Sequence, residues 1–334
     1  MSTTDIAQQT RMTAIVYDQY GAADVLRQEL IAKPVVGDDE VLVRVRAAGV
    51  NPADWHIMRG DPALARLAFG IGKPKKMMII GSDIAGEVER IGRNVTRFRV
   101  GDQVYADAET GGCAEYVCIA EKHLAHKPVN LSFEQAAAVP LAALTALQGL
   151  RNRGRIEAGQ YVLVNGASGG VGHFAVQLAK SFGAHVTGVC STRNLEMVRS
   201  LGADRVIDYT QNDFTRGEHR YDLILDTPAN HSLAAYRRAL TPKGTLVLVG
   251  AGGGRLLGPA GQMLRALLLS PFVSQRLAPL RAVVDGADLE LITALVEDGK
   301  VTPVIDRSYA MSETAAAMRH LEEGHVAGKL VITI

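Results

Sequence analysis

Tyr161-Val162-Leu163-Val164-Asn165-Gly166-Ala167-Ser168-Gly169-Gly170-Val171-Gly172, running on into Phe174-Ala175-Val176-Gln177-Leu178-Ala179-Lys180, is the stretch that decides the fold. Its opening apolar run reads as a buried strand, its glycines as a tight turn, and the residues after them as a helix. Strand, glycine turn and helix in that order form the context a dinucleotide fingerprint requires. Glycines without Cβ let the backbone approach a pyrophosphate, and a helix N-terminus offers free N–H groups and a positive dipole end. The first glycine of the GxGxxG pattern is here Ala167, so the match is AxGxxG. Ala167, Ser168, Gly169, Gly170 and Val171 are the expected cofactor contacts. The bland alternative is a βα turn that needs glycine only for sterics.

Working outward, Tyr161–Val164, His185–Val189, Arg205–Ile207, Tyr221–Leu225 and Thr245–Val249 are candidate strands. Helical stretches at Gly170–Phe182, Asn194–Leu201 and Ser232–Ala239 separate them. Near-continuous apolar strands alternating with helices predict an α/β fold with a parallel sheet covered on both faces. Upstream, Ser132 with Gln135 three residues on is a capping box, and Pro140 breaks the helix it opens. The first third reads as short strands, Glu40–Arg46 and Ile84–Ile91 among them, punctuated by glycines as in a small β-barrel.

The end of the second strand bears on the cofactor. A carboxylate there would hydrogen-bond the ribose hydroxyls of NAD. The chain instead reads Val189-Cys190-Ser191-Thr192-Arg193. Ser191 and Arg193 can hold a 2′-phosphate, which a carboxylate would repel, so NADPH is expected over NADH. The competing reading is a polar loop with a solvated arginine.

Composition narrows the classes. In 334 residues, 36 Lys and Arg against 35 Asp and Glu leave a net charge of +1, which argues against a dedicated nucleic-acid binder. With 47% hydrophobic residues the chain has apolar material for two cores. Cys113, Cys118 and Cys190 are too few and scattered for a disulfide framework or a cysteine-rich zinc site. Met1–Met12 carries no apolar run suited to a secretory signal, and no stretch approaches the roughly 20 apolar residues that span a bilayer. A soluble cytoplasmic protein is the expectation.

Six further segments carry a resemblance. They are Gly49–Trp55, Gly81–Val88, Gly101–Val104, Gly166–Gly172, Leu201–Asp204 and Gly328–Val331. With these, in this order, the chain resembles the medium-chain dehydrogenase/reductase superfamily, in its zinc-free quinone oxidoreductase-like branch. The resemblance implies a GroES-like β-barrel catalytic domain, residues 1–131 and 300–334, and a Rossmann doubly wound parallel sheet nucleotide domain, residues 132–299, with the active site in the cleft. Zinc-dependent relatives carry a Cys where Asn51 stands here and a His-Glu where Ser82-Asp83 stands. The resemblance therefore implies that no metal is bound. It also implies, position by position, that Thr145, Tyr209 and Lys329 contact the cofactor. Thr227, Gly250 and Ala251 would border it at the carboxyl ends of the sheet. His123, His126 and His173 are read as surface or packing residues.

Without a Lewis acid, a conjugated substrate is the easier one. Hydride can attack an alkene carbon or a quinone while charge moves onto a carbonyl oxygen, and the site needs only donors and a proton source. Asn51 is the first candidate donor, because the resemblance places it at the nicotinamide end of the cleft and so in contact with the cofactor, against an ordinary role before Pro52. Asp54 either orients neighbours and relays a proton or caps the turn Trp55–Met58. His56 is a candidate acid. The expected function is NADPH-dependent reduction of a quinone, enone or other activated alkene. The alternatives are a zinc-free ketone or alcohol dehydrogenase, an enoyl-thioester reductase, or an NADPH-binding structural or sensing protein with negligible turnover. A homodimer is expected through the open sheet edge, taken as Arg281–Val284. The stretch Ala251–Gly261 and the Leu/Met-rich segment after it are the least family-like part and carry no assigned site.

Overall fold

The computed structural model describes residues 10–61, 66–249 and 258–334. The chain forms two compact units. One holds Met1–Leu141, Val284–Asp298 and Pro303–Ile334, and the other Ala142–Val283 with Gly299–Thr302.

The second unit carries β1 (Tyr161–Asn165), α1 (Gly172–Ser181), β2 (His185–Cys190), α2 (Leu195–Ser200), β3 (Arg205–Asp208), β4 (Tyr221–Asp226), α3 (Leu233–Ala239), β5 (Leu240–Leu248), α4 (Gly258–Leu269) and β6 (Arg276–Pro279). All six strands pair in parallel, in the order β3-β2-β1-β4-β5-β6. That is the doubly wound dinucleotide-binding order. The strand cores are aliphatic, with Val162, Leu163, Val164, Ile224 and Leu225 fully buried. The predicted helices and the five predicted strands are present within a few residues. Arg281–Val284 is different: it forms no strand, and the sheet edge is Arg276–Pro279. Val283 and Val284 favour a strand by propensity, whereas Arg276-Leu277-Ala278-Pro279, with no β-branched residue and a proline, becomes the edge strand by pairing with β5. Any pairing across the edge must use β6.

The other unit is built on seven strands. Glu40–Val50 lies at its centre, flanked by Asp83–Ile91, Tyr116–Ala120 and the C-terminal strand Lys329–Thr333, all antiparallel to it. Gln103–Asp107 and Leu124–His126 extend one side, and Ile305–Ala310 the other. A second sheet joins Arg27–Ala32, Arg11–Tyr17 and Met78–Ile79. Two helices within residues 132–299, the span expected to be the nucleotide domain, belong to this unit instead. Phe133–Ala137 lies against the central strand, its Ala137 carbonyl oxygen 2.3 Å from where a Cβ on Gly49 would sit. Gly286–Glu297 is tied down by the Tyr105 hydroxyl, which donates to Leu289 O at 2.7 Å. The Ser132 capping box forms as read, Ser132 N–H donating to Gln135 Oε1 and Gln135 N–H to Ser132 Oγ.

Candidate active site: a phosphate loop and a buried polar cluster

In the nucleotide unit the turn after β1 is drawn tight. Gly166 takes φ +81°, a conformation that favours glycine, and a Cβ there would stand 2.2 Å from Thr227 Oγ1. Gly172 opens α1 with no room for a side chain, because a Cβ would meet Gly166 O at 2.0 Å. Gly169 is the contrast. A Cβ on it would meet only Gly166 O, at 3.5 Å, so nothing within the protein forbids one. Its missing side chain leaves an open approach to the loop, which is what a close-bound pyrophosphate needs.

Ala167 is explained from below. Its methyl is fully buried and lies 3.1 Å from where a Cβ on Gly188 of β2 would be, so the glycine lost from the fingerprint is matched by one in the neighbouring strand. The Ala167 N–H donates to Val189 O at 2.9 Å and the Gly169 N–H to Gly166 O at 3.0 Å. Neither is left for a ligand. The N–H groups of Ser168, Gly170 and Val171 make no hydrogen bond among the described residues and remain as donors beside the start of α1.

The loop after β2 is joined to this turn by a residue the sequence reading passed over. Buried Asn194 donates through Nδ2 to Ser168 Oγ at 3.0 Å and to Ser191 Oγ at 3.3 Å. Each hydroxyl, having accepted, keeps its own proton to give away. Arg193 is exposed next to Ser191. Tyr209, 58% exposed, is held alongside by its N–H to Cys190 O at 3.1 Å. Asp208 ends β3 and pins the loop through the Thr192 hydroxyl at 2.6 Å and the Thr210 hydroxyl at 2.7 Å, bonds that hold its carboxyl below the usual range. Burial pushes the Cys190 thiol up to about 11.

Under the loop, Asn165 Nδ2 donates to Asp226 Oδ1 at 2.7 Å, and Tyr236 OH donates to the same oxygen at 2.7 Å. Burial pushes the Asp226 carboxyl up to about 6, against these two donors. Thr227 Oγ1 donates to Asn165 O at 2.9 Å, which sets Thr227 against the turn. Thr145 is buried in the helix Pro140–Gln148. Gly250 and Ala251 lie outside the described residues.

The barrel unit holds a buried polar cluster of its own. Strand register sets Leu330 opposite Val50 and Asp83 opposite Gly49. This brings Lys329, Asn51 and Asp83 together from the two ends of the chain. The Lys329 ammonium donates to Asn51 Oδ1, to Val50 O at 3.1 Å and to Asp83 Oδ2 at 3.2 Å. Asn51 Nδ2 donates to Asp83 Oδ2 at 2.9 Å and to Ser82 Oγ at 3.2 Å. Leu141 N–H caps the other Asp83 oxygen at 2.8 Å. Lys329 is 3% exposed and Asp83 0%, so this is a buried ion pair with each donor spent.

Two further carboxyls stand close by. Asp54 accepts the Asn51 N–H at 2.9 Å, closing the start of the helix Pro52–Arg59. Burial, and then the negative Asp83, pushes its carboxyl up to about 7. Asp107, paired with Asp83 across neighbouring strands, is pushed up to about 7 by the same two causes. Nothing local in the sequence singled out Asp107. His56 stands apart from the cluster: its Nδ1 pairs with Asp61 O at 3.1 Å, and its ring packs on Trp55.

The donor set here does not suit zinc, which takes thiolate, imidazole and free carboxylate ligands. An amide, a hydroxyl and a carboxylate already paired with an ammonium occupy the place. Among the described residues no group of three or more His, Cys, Asp or Glu converges on a common point.

Comparison with known proteins agrees with both units. A family model described as the alcohol dehydrogenase GroES-like domain matches residues 37–129, and one described as zinc-binding dehydrogenase matches residues 201–332. The quinone-oxidoreductase homolog, chloroplastic, of Spinacia oleracea is 34% identical over 96% of this chain and 98% of its own. The chain belongs to the medium-chain dehydrogenase/reductase superfamily, in its quinone oxidoreductase-like branch. A second relative in that superfamily, the NADPH-dependent alkenal/one oxidoreductase, chloroplastic, of Arabidopsis thaliana, is 35% identical over 99% of this chain and 81% of its own. The structure of the quinone oxidoreductase from Coxiella burnetii superposes with a TM-score of 0.85 at 31% identity, covering 97% of this chain and 99% of that one. The protein is thus an oxidoreductase of this superfamily that works with a nicotinamide cofactor on a small molecule. Among the described residues no helix is long and apolar enough to cross a membrane.

Proposed function

We propose that the protein is a zinc-independent, NADPH-dependent reductase of quinones, enones or other activated alkenes. The observation that carries this reading is the Lys329 ammonium, buried among Asn51 Oδ1, Val50 O and Asp83 Oδ2; the resemblance puts the zinc relatives' ligands at the positions of Asn51 and Ser82-Asp83. A fixed cation that has no coordination site to offer cannot activate an alcohol as a Lewis acid. Reduction of a conjugated system remains.

The cofactor cradle fits the same reading. Ser168, Gly170 and Val171 offer N–H groups to a diphosphate, with Gly169 leaving the approach open. Ser191, Arg193 and Tyr209 would hold the 2′-phosphate, and Asn194, by donating to the Ser168 and Ser191 hydroxyls, leaves each its own proton to give. A bound reduced nicotinamide supplies a hydride to the electron-poor carbon.

The barrel residues serve that step differently from the sequence-level expectation. Both Asn51 N–H bonds are spent on Ser82 and Asp83, so Asn51 positions rather than donates. Ser82, which accepts from Asn51, keeps its O–H proton for an oxygen that gains charge. Asp54 holds a proton near neutral pH, as its raised pKa requires. His56 is assigned no step.

Turnover of a quinone, an enone and a simple alcohol, each with NADPH and with NADH, is the test. Reduction of the first two with NADPH and none of alcohol oxidation is expected, undiminished by EDTA. Stoichiometric zinc in the purified protein, or activity lost to EDTA and restored by Zn²⁺, would overturn the reading.

A further inference from the structure

At the amino ends of the nucleotide sheet lies a solvent-open depression of about 340 Å³, lined by Arg155, Gln160, Asp222, Thr241, Lys243 and Arg276 among others. It is on the opposite side of the sheet from the glycine loop. Asp222 and Asp226 bracket the length of β4, and four residues of strand separate the two ends by about 13 Å. We propose that this depression binds a phosphoryl dianion, as a second anion site independent of the cofactor.

Three observations carry it. First, the charges are one-sided. Arg155, Lys243 and Arg276 line the depression and none of them has a carboxylate partner among the described residues. From Thr227 to Val284 the sequence holds no Asp or Glu to supply one. The lone acid in the lining, Asp222, is already engaged by the Tyr161 N–H at 3.0 Å and the Thr241 hydroxyl at 3.2 Å. Second, Arg276 Nη1 is buried without a hydrogen-bond partner. A buried guanidinium N–H left unmade is costly, and an anion is its natural complement. Burial and the nearby Arg155 and Arg153 all hold the Arg276 guanidinium below its usual pKa, as expected of cations gathered without their counter-charge. Third, Arg155 sits at φ +54°, on the left-handed cap of the π-helix Gly149–Gly154. That backbone suits glycine, and an arginine held there is strained.

Phosphate matches this set better than a carboxylate does. Its oxygens can take donors from an arginine fork, a second arginine and an ammonium at once. Free phosphate and a phosphate monoester present the same dianion, so both are tested.

The experiment is calorimetric titration of the intact protein with inorganic phosphate and with glycerol 3-phosphate, in saturating NADP⁺ so that the cofactor's own phosphate contacts are filled. Binding of phosphate alone would assign the free ion, and binding of the ester a phosphorylated metabolite; either supports the proposal. Arg276→Gln is expected to weaken that binding at least tenfold. Arg155→Gly is expected to weaken it similarly while leaving the thermal midpoint unchanged or raised, since glycine adopts φ +54° freely. No binding of either probe in saturating NADP⁺, or binding that both variants leave intact, would overturn it.

Discussion

Replacing Lys329 by Met removes the ammonium from the barrel cluster while nearly keeping its volume. Asp83, with no exposed surface, would then be left with the Asn51 Nδ2 and Leu141 N–H donors but no counter-charge. Asn51 Oδ1 and Val50 O would each lose a donor as well. Breaking a buried pair by deleting one partner costs about 3–5 kcal/mol, because the remaining charge stays buried and uncompensated. With a urea slope of about 2 kcal/mol per molar, the midpoint should fall by about 2 M. The chain's single tryptophan, Trp55, reports on the right unit, since it packs against the barrel core beside Asn51. Asp83→Asn added to Lys329→Met removes both charges and keeps an acceptor for the Leu141 N–H. The double variant should recover more than half of the loss. A midpoint shift below about 0.5 M for Lys329→Met would refute the view that this ammonium holds the cluster, and so would strictly additive losses.

Four further outcomes are expected. Asp54 keeps its proton to about pH 7 when folded, whereas an unfolded Asp loses it near 3.8, so its burial costs stability progressively as pH rises between these values, on the order of 4 kcal/mol above pH 7. Asp54→Asn retains an acceptor for the Asn51 N–H and should flatten that slope, matching wild type near pH 4 and exceeding it at pH 8; parallel urea-midpoint curves would count against this. Gly169→Ala should leave the melting temperature unchanged and weaken cofactor binding about tenfold, whereas Gly172→Ala, with its Cβ 2.0 Å from Gly166 O, should destabilise the unit outright. Arg193→Ala should raise KM for NADPH roughly tenfold and barely alter NADH, since a charge-assisted hydrogen bond is worth about 1.5–3 kcal/mol and the exposed loop is screened; equal effects on both cofactors would make Arg193 a solvated loop residue. A homodimer is expected through the exposed edge of β6, next to the exposed Leu264, Leu267 and Leu268 of α4, and light scattering should show Leu267→Glu shifting it to monomer.

The nucleotide unit was written locally and could be read from sequence alone. Strand, glycine turn and helix are consecutive at Tyr161–Ser181, and in the other unit the Ser132–Gln135 cap likewise needs only three residues to declare itself. Short-range sterics, periodicity and capping act within one or two turns of chain, so a linear pattern records them. The misread edge shows where locality fails: Arg281–Val284 has the better strand propensity, but Arg276–Pro279 lies beside β5 and pairs with it. Tertiary structure alone decided why Ala167 is tolerated, since the answer is Gly188 in another strand. It alone decided that Asn51 spends its amide on Ser82, Asp83 and Lys329 rather than keeping a donor free. Lys329 lies 278 residues from Asn51, and only the register of Leu330 against Val50 places its ammonium there. The raised pKa values of Asp54 and Asp107 follow from that assembly as well. Desolvation and charge proximity depend on distances through space, and three sheet pairings set those distances.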